Sequence, residues 1–405
     1  MELLLITKLW SGIKPFFLEG DERFHGLPSF SLPFFKILED ADFEKVHVLL
    51  FVQLNSKQKK IELKLPERYR ERLVVYPIYY RRYRDLVFKL PFAVAKAGSI
   101  VRKRKISVVI GHGMVSTVAG LVSLFFGVKN IRRIYGIGTE LSRKSRLKLM
   151  FFHPLEYLAF TLPCEALIVT NDGSRGDELF RKLNGRRKKI RNFIFELNGV
   201  FKDIESRIVK PQNVGELPER YIAYIGRFEK FKGQLRMVDA LSILHRRAQK
   251  IPVVMVGQIF DPAYYRILMT KIDELGLSEY VKIIPGLSWS ETMYVLANST
   301  LACAFYDLNL SNVFLEGLSL GVPMISINSG NSLEMIPDNV FVKLPESALE
   351  NPEIIADAIQ RLWEDEQQRR RLSQAAKHFA RYNLKDWEER VNFEITLIKK
   401  LHSSE

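Results

Sequence analysis

The chain has 405 residues and a net charge of +15, from 61 Lys/Arg against 46 Asp/Glu, with 47% hydrophobic and 11% aromatic residues. That composition excludes intrinsic disorder, and the length exceeds one ordinary hydrophobic core, so two domains are expected. The two cysteines, Cys164 and Cys303, lie in apolar segments and exclude a disulfide framework or a cysteine-rich metal site, which suits a reducing compartment.

The opening residues, MELLLITKLW, read as a buried strand, because they lack the basic start and cleavage site of a secretory signal. Further strands are expected at 46–52, 73–78, 106–111, 131–136 and 166–171, with amphipathic stretches between most of them. Polar glycine-bearing segments follow the first strand at 11–15 and 18–26. A polar, proline-containing stretch, KDIESRIVKPQNVGELPER at 202–220, reads as an interdomain linker. Beyond it the alternation restarts, with strands expected at 221–226, 253–257, 281–285, 301–305, 322–327 and 340–344. From Pro352 to Leu401 the pattern is helical, with Trp387, Val391, Ile395 and Ile398 at three- and four-residue spacing. Such alternation predicts an α/β protein with two parallel sheets, each covered by helices on both faces. The domains are placed at 1–203 and 219–384, joined by 204–218, with a terminal helix at 385–405.

Charge divides unevenly along this plan. Residues 1–210 hold 39 Lys/Arg against 21 Asp/Glu, whereas 211–405 hold 22 against 25. No acid occurs from Leu86 to Thr139, where Lys89, Lys96, Arg102, Lys103, Arg104, Lys105, Lys129, Arg132 and Arg133 accumulate. Read as a surface, these attract phosphates, anionic lipid or nucleic acid; the plainer reading is a solvated basic face that aids solubility. In the run 76–105, tyrosines interleave with Arg81, Arg82 and Arg84, and Phe88, Leu90, Phe92 and Val94 lead on to Arg102. This suits a membrane interface, where aromatic bodies bury and cations meet lipid phosphates. Nucleic acid is the less favoured ligand, and a core helix flanked by solvated cations the bland alternative. The longest apolar run, 117–128, is too short to span a bilayer, so a soluble or peripheral protein is expected.

Three places carry candidate chemistry. In YIGRFEKFKGQLRMVDAL a strand ends at Gly226, Arg227 and Lys232 follow, and a helix begins near Gly233. Amides at a helix start beside a guanidinium and an ammonium make a site for a diphosphate. Exposed loop cations are the alternative. Glu316, on a helix running into Gly321, is suited to accept both hydroxyls of a ribose, or else is an ordinary surface glutamate. His112 stands where a first-half strand gives way to a helix, at the sheet edge where open α/β proteins bind ligands. A histidine packed beneath that helix is its bland reading. The seven histidines show no metal-ligand spacing, no metal is expected, and neither a paired-carboxylate hydrolase signature nor an NTPase phosphate loop is present.

In order and spacing, these segments resemble the retaining glycosyltransferases of sequence family 4, whose GT-B architecture sets two Rossmann-like domains facing one another across a cleft. The resemblance covers most of the chain. It implies a nucleoside diphosphate sugar as donor substrate and no cofactor, with Arg227 and Lys232 on the diphosphate and Glu316 on the ribose. Gly226 and Gly286 match turns that approach the nucleotide, and His112 faces donor and acceptor. Gly12 matches the loop covering the transferred sugar. Asn198, Gly199 and Val200 resemble the family's Asn-Gly-Val, and Gly330 and Glu334 its Gly-x-x-x-Glu segment. The terminal helix is implied to return to the first domain. The family's upstream glutamate, eight residues before Glu316, is here Leu308, beside Asp307 and Asn309. Either Asp307 substitutes for it, or the sugar is met by the backbone of Leu310, Ser311, Asn312 and Val313.

The implied reaction moves a sugar to a hydroxyl of a glycan or polyprenyl-linked acceptor, by an enzyme on the inner face of a membrane, in the cytoplasm. A non-catalytic binding subunit and a sugar-nucleotide epimerase are the rival readings.

Overall fold

Buried strands rich in Leu, Val and Ile alternate with helices throughout the computed structural model, which describes residues 1–23, 28–55, 57–138, 141–185, 189–212 and 214–403. Two compact units result: Met1–Asn171 with Arg175–Asn198 and Trp387–Glu405, and Asp172–Ser174 with Gly199–Asp386.

Among the described residues the first unit holds seven strands: β1 (Glu2–Lys8), β2 (Lys45–Gln53), β3 (Leu73–Tyr80), β4 (Val108–His112), β5 (Lys129–Ile134), β6 (Cys164–Thr170) and β7 (Ile190–Glu196). They run parallel in the order β3-β2-β1-β4-β5-β6-β7. Leu3, Leu4, Leu5 and Ile6 of β1 are wholly buried, as a central strand with both faces covered requires. One face carries Phe16, Phe17 and Phe34, with Val391, Ile395 and Ile398 of the terminal helix Trp387–Ser403. The other carries the helices Tyr83–Arg104 and Ser116–Phe126. β7 is absent from the sequence expectation: it is an edge strand, IRNFIFE, with Arg191 and Asn192 exposed, so it lacks the continuous apolar run of its neighbours.

Two cations assigned to the basic surface are instead in the core. Arg132 and Arg133 are at most 1% exposed on β5. Arg132 Nη1 donates to the Leu158 carbonyl at 3.1 Å, and Nη2 to that of Leu162. Arg133 donates to Thr170 Oγ1 at 2.7 Å and pairs with Glu394 at 2.9 Å. Buried guanidinium groups need such partners, and a sequence count of charges does not reveal them.

The second unit repeats the pattern with β8 (Ile222–Ile225), β9 (Val253–Gly257), β10 (Val281–Pro285), β11 (Leu301–Ala304), β12 (Met324–Ile327) and β13 (Val342–Leu344). All are parallel, in the order β10-β9-β8-β11-β12-β13. Each sheet therefore reverses its strand order beside its first strand, between β1 and β4 and between β8 and β11. Two Rossmann-like units follow from this topology.

Candidate functional site

In an open parallel sheet, connections leaving a reversal point in opposite directions open a crevice at the strands' C-terminal ends. In the second unit that point lies beyond Ile225 and Ala304. A Cβ on Gly257 would stand 2.0 Å from the Gly226 carbonyl oxygen, so these strand ends meet backbone to backbone. Gly233, at φ +71°, begins the helix Gln234–Arg246, and a Cβ there would lie 2.2 Å from the Phe305 carbonyl oxygen. Both the left-handed backbone and the close approach demand glycine. The loop carrying Arg227 and Lys232 is thereby pinned against the β11 exit.

Lys232 is held under aromatic rings, its ammonium 4.2 Å from the Tyr306 centroid and 4.7 Å from that of Phe231, and it donates to Asn309 Oδ1 at 3.1 Å. Burial, with the charge of Arg227 second, lowers its pKa to about 8. Arg227 is more exposed; it pairs with Glu229 at 2.8 Å and lies over Phe260 at 4.5 Å. The two cations thus bracket one loop. Beside it is a cavity of about 590 Å³ lined by Glu229, Lys230, Phe231, Phe260, Asp261 and Asp307.

From β11 the chain passes through Tyr306–Ser311 into the helix Asn312–Leu320, capped by Ser311 Oγ, which accepts from Phe314 N at 3.3 Å. Ser311, Asn312 and Val313 lie at the positive end of that helix. The Leu310 amide donates to the Asp172 carbonyl at 2.6 Å. Leu308 is buried with φ +47°, and Asp307 Oδ1 accepts from Ser329 Oγ at 2.6 Å. Glu316 is 2% exposed, which excludes the surface-glutamate reading. Its Oε1 accepts from Trp289 Nε1 at 2.8 Å. Burial raises its pKa to about 7, opposed by the bond from Trp289. Trp289 begins a helix set by the Ser288–Glu291 capping box, after Gly286 turns the chain at φ +83°. Glu334 is exposed.

Sequence reasoning missed Trp289, Asn309, Tyr306 and Asp172, whose carboxyl burial raises to a pKa of about 6. The capping box S-W-S-E could have placed Trp289 at a helix start; nothing local marks the others.

At the first unit's reversal point His112 is the last residue of β4 and 4% exposed. Its Nδ1 lies 3.1 Å from Tyr135 Oη, and Tyr135 is itself flanked by Phe30 at 3.8 Å and Trp10 at 6.4 Å between ring centroids. Burial, and then Arg133, hold the His112 pKa down to about 3, so the imidazole is neutral at pH 7. Gly12 is buried in the single turn Ser11–Ile13. Residues 24–26 of the glycine-bearing segment lie outside the described residues. Arg81, Arg82, Arg84 and Arg102 are all exposed. The Asp85 carboxylate accepts from the amides of Arg81 and Arg82, Arg81 Nη2 donates to the Gln58 carbonyl at 3.0 Å, and Arg102 lies 4.8 Å over Phe126.

Residues 206–379, which lie in the second unit, match the family model described as Glycosyl transferases group 1. Among solved structures, HepE from Anabaena in complex with UDP and glucose is similar at 17% identity and TM-score 0.68, with 100% of both chains covered. Sucrose-phosphate synthase from Thermosynechococcus elongatus is similar at 16% identity and TM-score 0.69, again with 100% of both covered. WaaG, a glycosyltransferase involved in lipopolysaccharide biosynthesis, gives 13% identity and TM-score 0.65 over 97% of this chain and 99% of that one. No curated protein matches the sequence. The fold is that of the GT-B glycosyltransferases.

Proposed function

We propose that the protein is a retaining glycosyltransferase of the family-4 kind, moving a hexose from a nucleoside diphosphate sugar to a hydroxyl of a glycan or lipid-linked acceptor. One observation carries the reading: a desolvated lysine and an arginine bracket a glycine-tightened loop at the reversal point of the domain that matches the group 1 model. Lys232, Arg227 and the helix start at Gly233 receive the diphosphate. Glu316 receives the ribose hydroxyls, and the helix start at Ser311, Asn312 and Val313 lies toward the sugar. The UDP and glucose bound in the HepE structure support this kind of donor.

As the glycosidic bond breaks, its electron pair goes to the leaving diphosphate, and fixed cations stabilise that growing charge more than they stabilise the bound donor. The acceptor hydroxyl attacks from the same face and its proton passes to the departing phosphate oxygen, so configuration is retained without a protein nucleophile. Neutral His112 offers a hydrogen bond to the transferred sugar, and Gly12 belongs to the loop beside it. The basic first half, with Arg81, Arg82, Arg84 and Arg102, brings the enzyme to an anionic membrane surface on the cytoplasmic side, where a lipid-linked acceptor resides. The test is donor hydrolysis and transfer across a panel of nucleotide sugars: turnover with a retained anomeric configuration is expected, and binding without turnover, or release of a free 2-epimer, overturns it.

A further inference from the structure

Phenylalanines are rarely left in water in groups, because each exposed ring forgoes the free energy of burial. In the first unit Phe88 is 80% exposed, Phe92 60%, Leu124 57%, Phe125 65%, Phe151 71% and Phe152 72%. They occupy three helices, Tyr83–Arg104, Ser116–Phe126 and Arg146–Phe152. The first two pack together. Phe126 packs where a Cβ on Gly98 would fall, joining the first two. The third is followed by the helix Pro154–Thr161, whose Leu155 amide is 3.4 Å from Tyr83 Oη and whose Leu155 carbonyl accepts from Thr117 Oγ1 at 2.6 Å, so the third reaches the first two through that helix. Cations border the apolar residues: Lys89, Arg102, Lys103, Arg146 and Lys148 are exposed. Between the first helix and β3 a cavity of about 490 Å³ is lined by Tyr76, Phe92, Lys96, Lys103 and Arg104. The Lys96 ammonium lies 5.5 Å from the Tyr76 ring and 6.0 Å from that of Phe92.

We infer that this three-helix face inserts into one leaflet of an anionic bilayer, with Phe88, Phe92, Leu124, Phe125, Phe151 and Phe152 below the headgroups and the Lys96–Lys103–Arg104 cavity receiving the phosphate of an acidic phospholipid. The inference rests on the membrane reading above and deepens it from attraction at a distance to insertion at named residues. Among the described residues no helix is long and apolar enough to cross a membrane, so insertion is confined to one leaflet. Charge complementarity selects the occupant: exposed Lys89, Arg102, Lys103, Arg146 and Lys148 border the rings and suit an anionic surface, while Asp85 is engaged by the amides of Arg81 and Arg82 and Glu156 by Tyr83.

The test uses the full chain and vesicles of phosphatidylcholine with or without phosphatidylglycerol. Tryptophans introduced singly as Phe125→Trp and Phe151→Trp should shift their emission to the blue on acidic vesicles and be quenched by lipids brominated on the acyl chain. The joint variant Phe88→Ser, Phe125→Ser, Phe151→Ser, with circular dichroism unchanged, should lose vesicle binding about tenfold and lose all binding that survives 0.5 M salt, where the Debye length falls to about 4 Å. Lys96→Gln with Lys103→Gln should abolish the preference for phosphatidylglycerol while leaving tryptophan burial in place. Salt-labile binding without a blue shift or quenching overturns insertion and leaves electrostatic attachment standing. No vesicle binding at all overturns both. A concentration-dependent dimer that the serine variant dissociates overturns the lipid occupant in favour of a second copy of the chain.

Discussion

The two reversal points share a topology and differ in furniture. At β8/β11 the walls are glycine backbone, a desolvated lysine and two helix starts; at β1/β4 they are Trp10, Phe30, Tyr135 and an uncharged histidine. Parallel strands position a crevice in both, but the side chains at the strand exits decide what charge it tolerates. In the first unit the nearby cation, Arg133, is 1% exposed, paired with Glu394 and bonded to Thr170 Oγ1, so its guanidinium is already engaged within the core. In the second, Lys232 is bonded to a neutral amide and stacked on rings, so its charge is poised for an anion.

The largest effect should come from removing that charge. Lys232→Ala and Arg227→Ala are each expected to lower kcat of transfer by roughly a hundredfold or more, with far-ultraviolet circular dichroism unchanged. Because an unliganded buried ammonium costs stability, Lys232→Met should at the same time raise Tm. Near-wild-type turnover in both alanine variants would erase the distinction between the two crevices.

Next in size, His112→Ala should reduce kcat by about a hundredfold, the scale for losing one preorganised hydrogen bond, while UDP affinity measured by calorimetry stays within about twofold. With its pKa near 3, His112 does not change charge between pH 5 and 8. The rate profile should therefore show no limb near the ordinary histidine value, and a limb there that His112→Ala removes would contradict the neutral assignment.

Glu316→Gln should weaken nucleoside diphosphate binding about tenfold, as a charge-assisted bond becomes a neutral one. Its effect on stability has the opposite sign. The folded pKa, about 7, exceeds the ordinary carboxylate value, so between roughly pH 4.5 and 7 the native state holds more protons than the unfolded chain, and stability falls as pH rises through that window. Glu316→Gln removes that loss and should have the higher Tm at pH 8. An unchanged affinity would reduce Glu316 to a partner of Trp289.

The smallest predicted signal is a proton count. Lys232 titrates near 8 when free, and a bound diphosphate raises that value, so UDP binding at pH 8 to 9 should take up a fraction of a proton. Calorimetry in buffers of different ionisation enthalpy measures it. Uptake that persists in Lys232→Met would assign the proton elsewhere.

Much of this was legible along the chain. Runs such as VHVLLFV and VVMVG declare buried parallel strands because both faces must be apolar, and a Gly-Arg…Lys-Gly segment after one of them marks an anion-binding helix start from local backbone chemistry alone. Burial was not legible. That Arg132 and Arg133 leave the surface, that Glu316 is enclosed against Trp289, and that Leu310 spends its amide on Asp172 depend on partners distant in sequence. The edge strand β7 escaped notice for a related reason: its identity lies in hydrogen bonds to β6, with little apolar pattern of its own. The exposure of Phe125, Phe151 and Phe152 had no signal in the sequence, since periodicity reports which residues share a face and only packing decides whether anything covers it. Sequence determined the two sheets and the loop that bears the cations. Tertiary structure decided which charges are solvated, and so which are available for chemistry, because desolvation is set by neighbours that the chain brings together only on folding.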